Sequence, residues 1–295
     1  MNRFKKNIAP ALSVGQQFGK FAAWILIAVF FSSCDGLERT VELDLRQSDP
    51  RFVVEGLITN ETTWHTIKVS KTTSFYHQGG PAVVSGAVVQ VKDQLGNAYL
   101  FEELGQTPGT YQAYFTGVVG HTYSLEISVE SRVIRAEETM LPVTPIDSIT
   151  WVVNEDRKND PDEDDPDAYY EVLLYAKEPQ DREDFYLFKF YRNGEIQNFD
   201  YSEVYVADDI LLNGNIDGLS TGIFYAEHDT VDVSVYSLTR KAFVFYNDLL
   251  QSLTNDGGIF GPIPANLRSN LSDGTLGYFR VSAVDKANIV IGVPR

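Results

Sequence analysis

The sequence predicts a mainly β protein: an N-terminal immunoglobulin-like β-sandwich, then a β-rich C-terminal domain with one packed α-helix. Three observations lead there. Short apolar segments alternate with polar residues at period two, and Gly, Asn and Pro turns separate them at close spacing. The aromatic content, 16 Tyr and 18 Phe against 2 Met, favours strands. A chain of 295 residues, 43% of them apolar, is long enough for two ordinary domains with real cores.

The first domain is expected over 41–142. Its strands read "RFVVEGLIT" (Arg51 to Thr59), "HTIKVS" (His65 to Ser70), "GAVVQVKD" (Gly86 to Asp93), "AYLFEEL" (Ala98 to Leu104), "TYQAYF" (Thr110 to Phe115) and "HTYSLEISVE" (His121 to Glu130). Gly79-Gly80-Pro81, Gly96-Asn97 and Pro108-Gly109 turn the chain between them. "GHTYSLEI" resembles a tyrosine corner, in which the Tyr123 phenol bonds back to nearby backbone as its strand begins. Two prolines in "LPVTPIDSITW" mark a linker, Pro142 to Pro145, into the second domain at 143–295. There "YYEVLLYAK", "FYLFKFYRN", "DTVDVSVYSL" and "GYFRVSAV" alternate again, and Asn193-Gly194 is a hairpin turn dipeptide. One segment has helical spacing instead. Ala242, Tyr246, Leu249, Leu250 and Leu253 share one face, which predicts a helix near 239–254, with Ser237 or Thr239 as cap and Gly257 as stop.

The first 33 residues read differently. Arg3, Lys5, Lys6 and Lys20 precede an apolar run from Phe21 to Phe31, and no acid occurs before Asp35. This is the layout of an export signal, because about 11 apolar residues are too few to span a bilayer, which takes ~20. Ser32 and Ser33 then lead into Cys34, the only cysteine. The junction resembles the lipobox of bacterial lipoproteins, where cleavage precedes a cysteine carrying diacylglycerol, although Phe31 replaces the usual leucine. The resemblance implies a signal peptide over 1–33, a lipidated tether over 34–40 and a lipid anchor at Cys34. Asp35 and Glu38 loosely resemble the acidic export signal of surface-exposed Bacteroidetes lipoproteins. Losing residues 1–33 would remove four cations and no acid, taking the net charge from -17 to -21. So acidic a body gains nothing from anionic headgroups, and the acyl chains would supply the membrane affinity.

Composition also excludes classes of function. A pI near 4.6 with no basic patch argues against nucleic acid. One cysteine excludes internal disulfides and Cys-rich metal sites. His65, His77, His121 and His228 stand isolated, without a zinc-ligand spacing, and read as surface or strand-end histidines. No Gly-x-Ser-x-Gly elbow or phosphate-binding glycine loop occurs. No catalytic residue is identified, and no cofactor other than calcium is suggested.

The calcium candidate is "NEDRKNDPDEDDPDAYY", whose Asp160, Asp162, Asp164 and Asp165 offer hard oxygen ligands. The spacing is not that of an EF-hand, and a solvated loop is the other reading. In "GGIFGPIPANLRSN" the apolar Phe260 either caps the second domain or contacts a partner. Ser148 and Thr230 follow aspartates in short sequons that resemble Bacteroidetes O-glycosylation sites.

Taken in order, "VELDL", "PRFVVEGLIT", "VSGAVVQVKDQLGNAYLFEE", "GTYQA", "GHTYSLEI", "LPVTPIDSI" and "GGIFGPIPANLRSNLSDGTLGYF" resemble the DUF4249 lipoproteins of Bacteroidetes, from Val41 to about Val284. The resemblance implies an outer-membrane lipoprotein, its extracellular face exposed, held to the membrane through its lipid alone. It further implies a SusC-like TonB-dependent transporter as partner and a non-enzymatic accessory role in uptake of an extracellular nutrient. An adhesive or structural surface lipoprotein is the alternative.

Overall fold

The structure, a computed structural model, describes residues 49–73, 80–197, 205–208, 215–254 and 267–292. The first sandwich begins with β1 (Phe52–Thr59), β2 (Thr62–Lys71), the short β3 (Ala82–Val83) and β4 (Val88–Asp93). It continues with β5 (Ala98–Glu103), β6 (Thr110–Thr116), β7 (Thr122–Val129) and β8 (Arg132–Thr139). In one layer β2 lies between β1 and β6; in the other β7 lies between β4 and β8. Strand β5 bonds β4 along Ala98–Phe101 and β6 through Glu102 and Glu103, so it passes from one layer to the other. This is the immunoglobulin arrangement. The alternation read in the sequence places Val54, Ile67, Val89, Val91, Phe101, Tyr111, Leu125 and Ile127 inside.

The tyrosine corner is present. Tyr123 is fully buried at the start of β7, and its hydroxyl accepts from Val118 N–H at 2.7 Å. His65 corrects an expectation: it is buried, not at the surface. Its Nε2 lies 3.1 Å from the Phe115 carbonyl, and burial lowers its pKa below the usual histidine value.

The second sandwich contains β9 (Ser148–Val153), α1 (Glu155–Asn159), β10 (Tyr170–Lys177), β11 (Phe185–Arg192), β12 (Glu195–Ile196), β13 (Tyr205–Asp208) and β14 (Asn215–Tyr225). Strand β15 (Thr230–Leu238) and helix α2 (Arg240–Thr254) follow, and β17 (Val284–Val290) completes it. A three-stranded sheet, β14-β10-β9, packs on a five-stranded sheet in which β11 bonds β12, β13 and β15, and β15 bonds β17. Val172, Leu174, Phe188, Phe190, Val233 and Ile289 fill the space between them. The β11–β12 hairpin turns at Asn193 and Gly194, both with positive φ (53° and 84°), as an Asn-Gly turn requires.

Helix α2 lies where its spacing predicts. Of the two expected caps it uses Thr239, whose hydroxyl accepts from Ala242 N–H at 3.2 Å. Ala242 and Phe245 pack on Phe185, Leu187, Tyr236 and Leu238, on the face of the five-stranded sheet turned away from the sandwich core. The expected single helix is joined by the one-turn α1, capped by Asn154.

The domain division at Pro142 needs amending. Strand β16 (Leu276–Ser282), placed by sequence order in the second domain, bonds β1 of the first as a parallel edge strand, from Val53↔Leu276 to Thr59↔Ser282. Phe279 and Val281 enter the first core. The segment before β16 bonds the other layer: Ser272 N–H donates to the Arg135 carbonyl, and Ser272 Oγ accepts from Arg135 N–H, both at 2.8 Å. Sequence order cannot reveal a parallel pairing across so long a separation. The residues flanking the linker are also bonded: Ser237 Oγ donates to the Leu141 carbonyl (2.7 Å), and Ile146 N–H donates to Asp285 (2.7 Å).

Glu138 ties β8 to this returning segment. Its carboxylate, buried, accepts from the Tyr278 hydroxyl at 2.6 Å and from Asn270 Nδ2 at 3.1 Å. Burial raises its pKa above the ordinary 4.5, outweighing the hydrogen bonds from Tyr278 and Thr239 that lower it. Between the unfolded and folded pKa values the folded state binds more protons, so stability falls as pH rises through that window. Glu138→Gln should abolish this component. The variant's stability relative to wild type, from urea unfolding at several pH values, should rise above pH 4.5, by at most about 1.4 kcal/mol per pH step of one, and then level off. A difference that is flat with pH would show that Glu138 is not held protonated.

Candidate functional site

The two most exposed aromatic side chains among the described residues meet at one place on the first sandwich. Along β2, His65, Ile67 and Val69 point inward, so Trp64, Thr66 and Lys68 point outward; along β6, Tyr111, Ala113 and Phe115 point inward, so Gln112, Tyr114 and Thr116 point outward. The antiparallel register sets Trp64 directly opposite Tyr114. Their ring centroids are 5.4 Å apart at 57°, yet Trp64 is 60% exposed and Tyr114 58%. Two large aromatics left this open on a regular sheet are not needed by the core.

Hydroxyl and amide groups border the platform along its own two strands, and the exposed Glu102 of β5 lies beside Gln112. On one side the Thr62 and Thr116 hydroxyls bond each other at 2.6 Å; on the other, Gln112 Nε2 donates to Thr66 Oγ1 at 3.0 Å. Beneath it, Phe115 stacks on Tyr99 (3.9 Å) and meets the His65 ring edge-on (4.4 Å). Two aromatic rings bordered by hydroxyl and amide groups can stack on the apolar face of a sugar ring or on a peptide side chain and accept or donate hydrogen bonds around it. Reading the chain alone misses the pair, because Trp64 and Tyr114 look like ordinary members of two separate strands until the register joins them.

The sequence-predicted residues fall elsewhere. Cys34, Asp35 and Glu38 precede the described residues, and Phe260 and Gly257 also lie outside them. The acidic loop is described, and its four aspartates do not converge. Asp162 pairs with Arg157 (3.0 Å) and accepts from Asp164 N–H (3.0 Å), while Asp165 pairs with Arg192, which also binds Asp229. Asp160 and Asp164 are exposed. Among the described residues no group of three His, Cys, Asp or Glu side chains is placed to share a metal ion. Arginine takes up two of the four carboxylates. Ser148 and Thr230 are both exposed at strand starts, and Thr230 N–H donates to Asn193 Oδ1 at 2.9 Å. No described helix is long and apolar enough to cross a membrane.

Fold and surface together define a mainly β protein of two sandwiches, the first immunoglobulin-like and completed by a strand from near the C-terminal end. The chain belongs to the family described as "Domain of unknown function (DUF4249)", whose model matches residues 38–288. No curated protein matches it. Among solved structures it is similar to a two-domain fibronectin type-III segment of chicken tenascin. The identity is 12% and the TM-score 0.22, covering 65% of this chain and 92% of that one. A score that low carries no weight, and the fold is read from the strand pairing itself.

Proposed function

We propose that this protein is a non-enzymatic lipoprotein of the outer membrane, anchored through Cys34 and exposed at the cell surface. It would serve as a binding component beside a TonB-dependent transporter of the SusC type, in uptake of an extracellular nutrient. The observation that carries the binding role is the Trp64–Tyr114 platform: two open rings held in register on a hydrogen-bonded sheet, with hydroxyl and amide groups before and after them along the two strands. The lipobox-like junction at Ser32-Ser33-Cys34 supports the anchor, and the acidity of the body leaves membrane attachment to the acyl chains. A tether of this kind raises the local concentration of the binding face at a transporter mouth without any further contact.

The test is purification of the tagged chain from its native membrane in mild detergent. Wild type should bring down a barrel transporter. Cys34→Ser should leave the membrane fraction, while Trp64→Ala/Tyr114→Ala should stay in it with native stability and lose uptake. A Cys34→Ser chain that fractionates unchanged would overturn the anchor. Unaltered uptake by the double variant would overturn the platform.

A further inference from the structure

Arg280 is a buried cation that forms no ion pair among the described residues. It lies on β16 opposite Leu57 of β1, and only 5% of its surface is exposed. Alternation along β16 turns Phe279 and Val281 into the first core, and Tyr278, Arg280 and Ser282 toward the five-stranded sheet and α2. There the guanidinium lies over the Tyr236 ring (4.7 Å) and near the Tyr246 ring (5.6 Å). Aromatic faces stabilise the plane of the guanidinium, but its N–H groups point outward within that plane and need acceptors. Nη1 is buried and has none among the described residues. Two residues along the same face, the fully buried Ser282 Oγ also lacks a partner.

A second cation shares the same ring. Lys189 of β11 holds its Nζ 5.9 Å from the Tyr236 centroid. Burial first, and the Arg280 charge second, lower its pKa from 10.5 to about 8. The neighbouring acids do not neutralise the pair. Glu61 of the β1–β2 turn is held by Lys286 of β17 at 2.7 and 2.9 Å, and neither Glu61 nor Asp232 of β15 forms an ion pair with Arg280 or Lys189 among the described residues. The two arginines at the nearby cleft of about 440 Å³ differ in this respect, since Arg240 is paired with Glu183 and Arg268 with Asp248. Burying a charge with open hydrogen-bonding capacity is costly unless something completes it.

We propose that Arg280, Lys189 and Ser282 form a binding site for a small oxyanion, a carboxylate or phosphate group, between β16 and the five-stranded sheet. The guanidinium edge presents paired donors that match two oxygens of either group. Ser282 adds a hydroxyl donor and Lys189 a second charge from the half-buried rim, where Tyr191 and Tyr246 also sit. Occupancy would brace the returning strand against the second sandwich.

The test is thermal unfolding of the purified full-length chain in chloride, inorganic phosphate and succinate at matched ionic strength. Saturable stabilisation by phosphate, succinate or both is expected, and whichever acts names the source of the oxyanion. Arg280→Met should be at least as stable as wild type in chloride, because it removes an uncompensated charge, and should lose the response. Lys189→Met and Ser282→Ala, which leave Arg280 in place, should each weaken it, Lys189→Met by about tenfold in affinity. Wild-type affinity should fall as pH rises through about 8, where Lys189 loses its proton. The facing groups that could contribute are Tyr191 of β11, Tyr236 and Asp232 of β15, Tyr246 of α2 and Glu61 of the β1–β2 turn; the Lys189→Met chain should lack the pH dependence. No response to either anion, or an equal response in wild type and Arg280→Met, would overturn the site. Should Arg280→Met fail to fold, Lys189→Met and Ser282→Ala responses equal to wild type would overturn it as well.

Discussion

Phe279→Ala should unfold the first sandwich at a much lower urea concentration than wild type, with a loss of about 3–5 kcal/mol. Phe279 is fully buried and belongs to the first core, with Val54, Ile67 and Leu125, although it lies more than a hundred residues beyond Pro142. The Gly56 position shows how tightly its ring fits: a Cβ there would meet Phe279 Cδ2 at 2.9 Å. A cavity in that place has little means of collapsing, because the surrounding side chains belong to hydrogen-bonded strands. Trp64 lies in the first sandwich and Trp151 in the second, so fluorescence of single-tryptophan chains can follow each half. A loss below about 1 kcal/mol would mean that β16 is an ornament on the first sandwich instead of part of it.

Gly277→Ala is expected to act on the same junction through the backbone. Gly277 sits at φ +88° opposite Val54, and a Cβ there would lie 2.1 Å from the Val54 carbonyl oxygen. That oxygen belongs to β1, so no side-chain rotation relieves the contact and the parallel pair must separate. Gly96 provides the control: its φ is +87°, and nothing lies within 4 Å of its Cβ position. Gly96→Ala should cost only the conformational penalty of about 1–2 kcal/mol, and Gly277→Ala clearly more, both read from equilibrium denaturation. Equal losses would show that conformation alone, and not the approach of β16 to β1, demands glycine at 277.

Both effects concern a strand whose identity the sequence shows and whose place it conceals. "GYFRVSAV" alternates and reads as a strand, but alternation states only that one face is buried, not against which sheet. Strand β8 is hard to see in the sequence for a related reason. In "RVIRAEET" only Ile134 and Ala136 supply the inward apolar set, and the next inward position holds Glu138, whose partners come from residues 270 and 278. The acidic loop shows the reverse case. Its composition is visible at once, yet whether carboxylates converge on a cation or pair with arginine depends on Arg157 of α1 and Arg192 of β11, and the second lies well beyond the loop in the chain.

By itself the sequence determined what local chemistry dictates. Period-two alternation marked the strands, Asn193-Gly194 their hairpin, Tyr123 the corner, Thr239 one of two caps and Ala242 the buried face of the helix, because each depends on neighbours within a few residues. Tertiary structure alone decided the pairing of β16 with β1, the meeting of Trp64 and Tyr114 across two strands, and the placing of Arg280 beside two tyrosine rings with no ion pair among the described residues. Those arrangements depend on register and on contacts between residues far apart in the chain, which local periodicity does not encode.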